Sequence, residues 1–117
     1  MAPPTLRLAA YALGISGLLH LITPVFAGMV SPVPAMLAIG VLYLVIATFF
    51  HEAPGWSVWP IKIVVFWMML IGGGAALGNS FDPGAVPGWL YLAIFAADAL
   101  AALGLFVEVW RGRSEPA

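Results

Sequence analysis

GWLYLAIFAADALAALGLFVEVW, residues 88–110, is an apolar run of spanning length with one carboxylate, Asp98, close to its middle. About 20 apolar residues that rise about 1.5 Å each cross a bilayer core of about 30 Å, so this run is predicted to be a transmembrane helix. An aspartate at the centre of such a helix costs about 2.5–3.5 kcal/mol on insertion scales. A chain tolerates that cost where the carboxylate faces protein or water and finds a partner. The first question is therefore where that partner lies.

Composition places the whole chain in the membrane class. Of its 117 residues, 63% are hydrophobic and only 8% are charged, whereas a soluble domain carries about 25% charged residues. The apolar runs also lack the polar face that a helix of a soluble bundle needs. A net charge of −1 gives no basic surface for nucleic acid, and the absence of cysteine excludes disulfides and thiolate metal sites.

Three further apolar runs precede the first one quoted, and breaks rich in Gly, Pro and Ser separate them. We predict an all-α fold, a polytopic up-down four-helix transmembrane bundle that forms a single domain over residues 1–117. The predicted helices cover residues of about 5–27, 34–50, 58–77 and 88–110.

The four positive charges give the orientation. With four spans, Arg7, Lys62, Arg111 and Arg113 all fall on one side of the bilayer. Lys and Arg are enriched in cytoplasmic segments. We therefore expect a multi-pass protein of the cell inner (cytoplasmic) membrane, with both termini in the cytoplasm.

A polar layer is predicted near the middle of the bilayer. Counted from the cytoplasmic ends, His20, Asp98 and the run Gly72-Gly73-Gly74 lie at depths of about 18–24 Å. Ser16 shares one helix face with His20 because the two are four residues apart. His20 and Asp98 would either pair structurally across two helices or, with Ser16 and Gly73, bind a ligand or relay protons. Tyr11 and Tyr43 are weaker candidates.

Two other clusters have structural interpretations. Lys62 and Glu108 fall at similar heights and are predicted to form an interfacial ion pair, with His51 and Glu52 near enough to join it. Small residues let helices approach closely in lipid, and Gly74 and Gly78 are the best candidates to seat a neighbouring backbone.

Motifs for catalysis are missing from the sequence. It contains no phosphate-binding loop, no HExxH and no serine-nucleophile motif, so we expect neither a metal site nor catalytic residues and lean against an enzyme. The cofactor is unknown. Axial ligation of a haem or a chlorophyll-type pigment by His20 is one further use of that side chain.

The opening LRLAAYALGISGLLHLITP, residues 6–24, followed by three more apolar spans, resembles the small four-helix bacterial membrane proteins grouped as DoxX-like. The features that carry the resemblance are an Arg before the first helix, a glycine-spaced first helix and short loops. Members of that group range from quinone-linked oxidoreductase subunits to proteins of unknown role, so the resemblance implies the bundle and no particular catalytic residue.

Two classes of function follow. The first is a non-enzymatic accessory or assembly subunit that packs on a larger membrane complex or on itself, since the loops are short and the exterior is nearly free of charge. The alternative is a small-molecule, quinone or proton-handling membrane protein centred on His20 and Asp98. The expected partners are the lipid bilayer and other membrane subunits, or further copies of this chain.

Overall fold

The structure, a computed structural model, describes residues 4–52 and 59–114, with side chains up to residue 111. These residues form helices α1 (Pro4–Leu21), α2 (Thr23–Ala27), α3 (Val33–Glu52), α4 (Trp59–Phe81) and α5 (Gly88–Ser114). α1 and α2 together make the first span, and α3, α4 and α5 make the other three. All four spans are long and apolar enough to cross a membrane. The predicted all-α four-helix bundle is confirmed, and the chain is a small multi-pass integral membrane protein.

Neighbouring helices run antiparallel, which gives the up-down order. α1 packs between α3 and α5, and α5 packs between α1 and α4. We call the end of the bundle where α1 begins and α5 ends the terminal end. The residue pairs that show the antiparallel directions are Tyr11–His51 and Gly17–Gly40 for α1 and α3, Ala9–Gly104 and Ser16–Asp98 for α1 and α5, and Lys62–Glu108 and Gly73–Asp98 for α4 and α5.

Several helices are longer than their apolar runs predict. α4 continues through the segment 78–81, whose Gly, Asn and Ser residues suggest a loop. The Ser80 hydroxyl donates to the Leu77 carbonyl at 2.6 Å and so satisfies a carbonyl in the last turn. α5 continues to Ser114, beyond its predicted end at residue 110. Composition marks where a helix leaves the apolar core, which is not the same point as where its hydrogen bonds end.

The first span is interrupted at Ile22, between α1 and α2. In an unbroken helix the His20 carbonyl would accept from the backbone N–H of residue 24, but residue 24 is proline and has none. The Thr23 hydroxyl donates to that carbonyl instead, at 2.7 Å. Thr23 is fully buried, so this bond keeps a polar group satisfied inside the bundle next to the break.

Apolar side chains lie on the outside of this bundle and polar side chains lie inside, which is the reverse of the distribution in a soluble protein. Large apolar side chains such as Val41, Val64, Ile71 and Leu103 are exposed on the outer faces of the spans, where lipid would solvate them. The buried polar and charged side chains are Ser16, His20, Thr23, Lys62, Asp98 and Glu108. The fold therefore collects its polar groups in the interior.

The polar groups near the middle of the bundle lie between two apolar clusters. One cluster, nearer the terminal end, includes Leu13, Met69 and Leu105. The other, toward the opposite end, includes Val33 and Ile94. The segments between them on α1, α4 and α5 carry Ser16, His20, Gly72, Gly73 and Asp98, a set that we call the central polar layer. Its position between two dry clusters separates it from both ends of the bundle.

Glycines hold the first two long helices together. A Cβ at Gly40 would lie 2.8 Å from the Gly17 carbonyl oxygen, and one at Gly17 would lie 2.9 Å from that of Gly40. The backbones of α1 and α3 therefore touch at this level. The expectation that Gly74 and Gly78 seat a neighbouring backbone is wrong within this chain. Both are exposed, and an added Cβ at either meets no atom within 4 Å.

The Gly17–Gly40 contact predicts a sharp difference between two glycine substitutions. Gly40→Ala should lower the free energy of unfolding by about 1–3 kcal/mol, because the new methyl group forces α1 and α3 apart. Gly74→Ala is the matched control and should leave stability unchanged or slightly raised, since alanine favours helix. Unfolding in mixed detergent micelles measures both. Equal stability of the two variants would contradict the close packing.

Candidate functional site

Asp98 is the most buried charged side chain of the central polar layer. It lies midway along α5, is 1% exposed, and faces α1 and α4. The Ser16 hydroxyl, on α1, donates a hydrogen bond to Asp98 Oδ1. The other carboxyl oxygen, Oδ2, is buried and has no hydrogen-bond partner among the described residues. One oxygen of Asp98 is thus held in place and the other is left with its acceptor capacity unused.

His20 lies one turn beyond Ser16 on α1 and is oriented by it. Its Nδ1 lies 2.7 Å from the Ser16 carbonyl oxygen. Because a carbonyl only accepts, Nδ1 must carry the proton, and in the neutral ring Nε2 then keeps a lone pair. The same residue, Ser16, therefore binds Asp98 through its hydroxyl and His20 through its carbonyl.

Tyr43 brings α3 into the layer. Its ring meets the His20 ring edge-on, with 5.2 Å between the centroids. Its hydroxyl oxygen would lie 3.0 Å from a Cβ placed on Gly72 of α4. The tyrosine side chain thus extends from α3 to α4.

Two of the three consecutive glycines of α4 make room for Asp98. A Cβ on Gly73 would lie 3.2 Å from Asp98 Cβ, and one on Gly72 would lie 3.3 Å from Asp98 Oδ2. A side chain at either position would crowd the carboxylate. Gly74 points away into open space. Successive residues of a helix point about 100° apart, so only part of the run can face one neighbour.

The structure brings together all four residues predicted as a site. Ser16, His20, Gly73 and Asp98 share one layer, as the depth count predicts, but no hydrogen bond joins His20 to Asp98. Ser16 lies between them and makes both contacts. The Ser16 side chain, which is shorter than that of His20, lies opposite Asp98 because α1 and α5 pack closely there.

Sequence reasoning gave too little weight to Tyr43 and Gly72. The Tyr43 backbone lies only about 10 Å from the end of its predicted span, so a depth count puts it below the layer. The length of its side chain brings the hydroxyl up to Gly72. Gly40, one turn before Tyr43, does indicate that Tyr43 belongs to the layer, because a glycine there allows α3 to approach α1.

A second polar pair lies at the terminal end. Lys62 Nζ on α4 is 3.7 Å from Glu108 Oε2 on α5, and both side chains are buried. His51 is elsewhere: its Nδ1 is 3.4 Å from Glu52 Oε1, and its Nε2 is 3.2 Å from the Tyr11 hydroxyl. His51 and Glu52 thus form a separate, exposed group on the other side of α1.

Within the described ranges, no group of three or more His, Asp or Glu side chains converges where it would hold a metal ion. Haem or pigment ligation by His20 would use its Nε2 lone pair. The His20 side chain is 7% exposed and lies against the Tyr43 ring. A macrocycle would reach Nε2 only after neighbouring side chains moved. The layer as it stands suits a small group rather than a large planar one.

The Ser16–Asp98 bond predicts an energetic coupling across α1 and α5. In a double-mutant cycle, Ser16→Ala and Asp98→Ala should couple by about 0.6–1.7 kcal/mol, the range for hydrogen bonds between membrane helices. The pair His20→Ala and Asp98→Ala serves as the control and should couple less, because no direct bond joins them. Unfolding in mixed micelles gives the four free energies of each cycle. A Ser16–Asp98 coupling of zero would contradict the contact.

Comparison with known proteins identifies no relative of this chain. No family model matches the chain, and neither a curated protein nor a solved structure is detectably similar to it. Its function must therefore be inferred from the residues of the central polar layer.

Proposed function

We propose that this membrane protein takes up a proton or another small hydrogen-bond donor at Asp98, in the interior of its four-helix bundle. One observation carries the proposal: Asp98 Oδ2 is buried in a lipid-facing bundle and has no hydrogen-bond partner in the part of the chain that the structure describes. Such an acceptor costs about 1–3 kcal/mol when it is left unsatisfied. A donor that arrives at Oδ2 removes this cost, which favours binding there.

The surrounding residues have separate roles in this proposal. Ser16 holds Oδ1 and so keeps Oδ2 turned toward α4. His20, oriented through its Nδ1, offers the Nε2 lone pair as a second proton acceptor in the same layer. Gly72 and Gly73 leave the space that the carboxylate needs. Glu108 Oε1 is also buried without a hydrogen-bond partner among the described residues, but the Lys62 cation lies beside that carboxylate, whereas Asp98 is bound by the uncharged Ser16.

The cellular setting is part of the proposal. We place the protein in the inner membrane, with both termini in the cytoplasm, because all the Lys and Arg residues lie toward the terminal end. The donor would then reach Asp98 from the bilayer or from either aqueous side. The resemblance to DoxX-like proteins would favour a quinol, whose hydroxyl group is such a donor.

Exchange of a proton at Asp98 is open to infrared spectroscopy. In protein reconstituted into lipid, acidification should produce a protonated-carboxyl C=O band, one component of which disappears in Asp98→Asn. Glu108→Gln is the matched control, since Glu108 is also buried on α5 but is paired with Lys62. The Asp98 component should survive in that variant. An acid-induced spectrum of Asp98→Asn identical to the wild type would rule out proton uptake at this residue.

A second candidate is the accessory or assembly role, and one observation favours it. Gly74 and Gly78 lie one turn apart on α4 and are exposed, with nothing within 4 Å of an added Cβ. Paired small residues of this kind let a second helix approach closely in lipid. The partner would be another membrane subunit or another copy of this chain. This role and donor binding at Asp98 are compatible.

The assembly role predicts a substitution that separates subunits without unfolding them. Gly74→Leu should shift mildly solubilised protein from a larger assembly to the single chain, and the unfolding free energy should be unchanged. Ala99→Leu, which places the same bulk at an exposed position of α5, should leave the assembly intact. Light scattering of the purified variants measures the mass. If the wild type is already a single chain without partners, the accessory role is wrong.

A further inference from the structure

We infer that Tyr43 and Asp98 together form a two-oxygen site that holds one hydroxyl-type oxygen, from a water molecule or from an alcohol. This inference rests on the proposed function, because it names the group that Asp98 receives. It also assigns Tyr43, on α3, to the binding of that group.

The two oxygens converge on one point. The Tyr43 hydroxyl oxygen lies 3.0 Å, and Asp98 Oδ2 lies 3.3 Å, from the position that a Cβ of Gly72 would occupy. They come from different helices, α3 and α5, and meet against the backbone of α4. No hydrogen bond joins them directly, and Oδ2 has no partner among the described residues. The glycine allows both oxygens to face the same small region.

The chemistry of the pair selects the occupant. An ionised carboxylate oxygen only accepts, while a tyrosine hydroxyl can donate. To satisfy the Oδ2 acceptor and the Tyr43 O–H donor together, an occupant must donate to Asp98 Oδ2 and accept from Tyr43. A single hydroxyl oxygen does both, whereas a carbonyl cannot donate and an ammonium cannot accept. Both oxygens lie within 3.3 Å of the position of a Gly72 Cβ, so the group bound between them must be small.

The position of the site suggests how the occupant enters. It lies between α3 and α4, and the Tyr43 side chain extends from α3 to the Gly72 backbone of α4. Rotation of the Tyr43 side chain would open a path between these two helices toward the lipid. The oxygen would come either from water that penetrates the bundle or from an alcohol dissolved in the bilayer, because both present the same donor and acceptor.

The test uses the carboxylate stretching band of ionised Asp98, identified near neutral pH as the band that Asp98→Asn removes, in the full-length protein in lipid nanodiscs. Tyr43→Phe keeps the ring against His20 but removes the hydroxyl, and it should shift that band because the bridging oxygen loses one partner. Gly72→Ala should shift it as well, since the new methyl group crowds both oxygens. Gly74→Ala, the matched control in open space, should leave the band at the wild-type frequency.

Two additions identify the source of the oxygen, and both outcomes support the site. A bound-water O–H band that shifts in ¹⁸O-labelled water and disappears in Tyr43→Phe indicates water. A shift of the Asp98 band on addition of hexanol to the nanodiscs, absent in Tyr43→Phe, indicates a membrane-dissolved alcohol.

A Tyr43→Phe spectrum identical to the wild type would overturn the inference, even if Gly72→Ala fails to fold. In that case, an acid-induced C=O band that still disappears in Asp98→Asn would continue to support the proposed function. If the acid-induced C=O band also remains in Asp98→Asn, both this inference and the proposed function are contradicted.

Discussion

The hydrogen bond from Ser16 to Asp98 is the contact on which the interior of this bundle depends. A carboxylate in the middle of a membrane helix costs about 2.5–3.5 kcal/mol unless a partner meets it. Ser16 meets it from α1 and thereby sets the register of α1 against α5. The same residue orients His20 through its carbonyl. A Cβ at Gly104 of α5 would lie 3.0 Å from the Ala9 Cβ of α1, so the two helices pack closely enough for the short serine side chain to reach Asp98.

The presence of one donor for the two oxygens of Asp98 is the reason why we propose a functional role for the central polar layer. Ser16 satisfies one oxygen of Asp98, and the described residues provide no donor for the other. In a soluble protein, water would fill such a gap at little cost. Between two apolar clusters and a lipid-facing exterior, the unsatisfied oxygen retains a strong preference for any small donor. Glu108 Oε1 at the terminal end is likewise buried without a partner among the described residues, but there the opposite charge of Lys62 faces the carboxylate.

Sequence alone predicts the bundle and the layer but not the contacts inside it. Apolar length and the central Asp98 suffice for four spans, because the bilayer imposes both length and polarity. Counting the rise per residue brings His20, Gly73 and Asp98 to one depth. Helix rotation is not encoded so simply: it decides that Gly72 and Gly73 face Asp98 while Gly74 and Gly78 face outward. The reach of Tyr43 likewise depends on how far apart α3 and α4 lie.

The most direct test of this account is the distance between Ser16 and Asp98 in a lipid bilayer. Solid-state NMR of protein with ¹³C-labelled serine and aspartate, carrying Asp82→Asn so that Asp98 is its only aspartate, reports the contact between Ser16 Cβ and Asp98 Cγ. The account predicts a cross-peak at short mixing time that Ser16→Ala abolishes. A spectrum in which Asp98 Cγ correlates with no serine would contradict it.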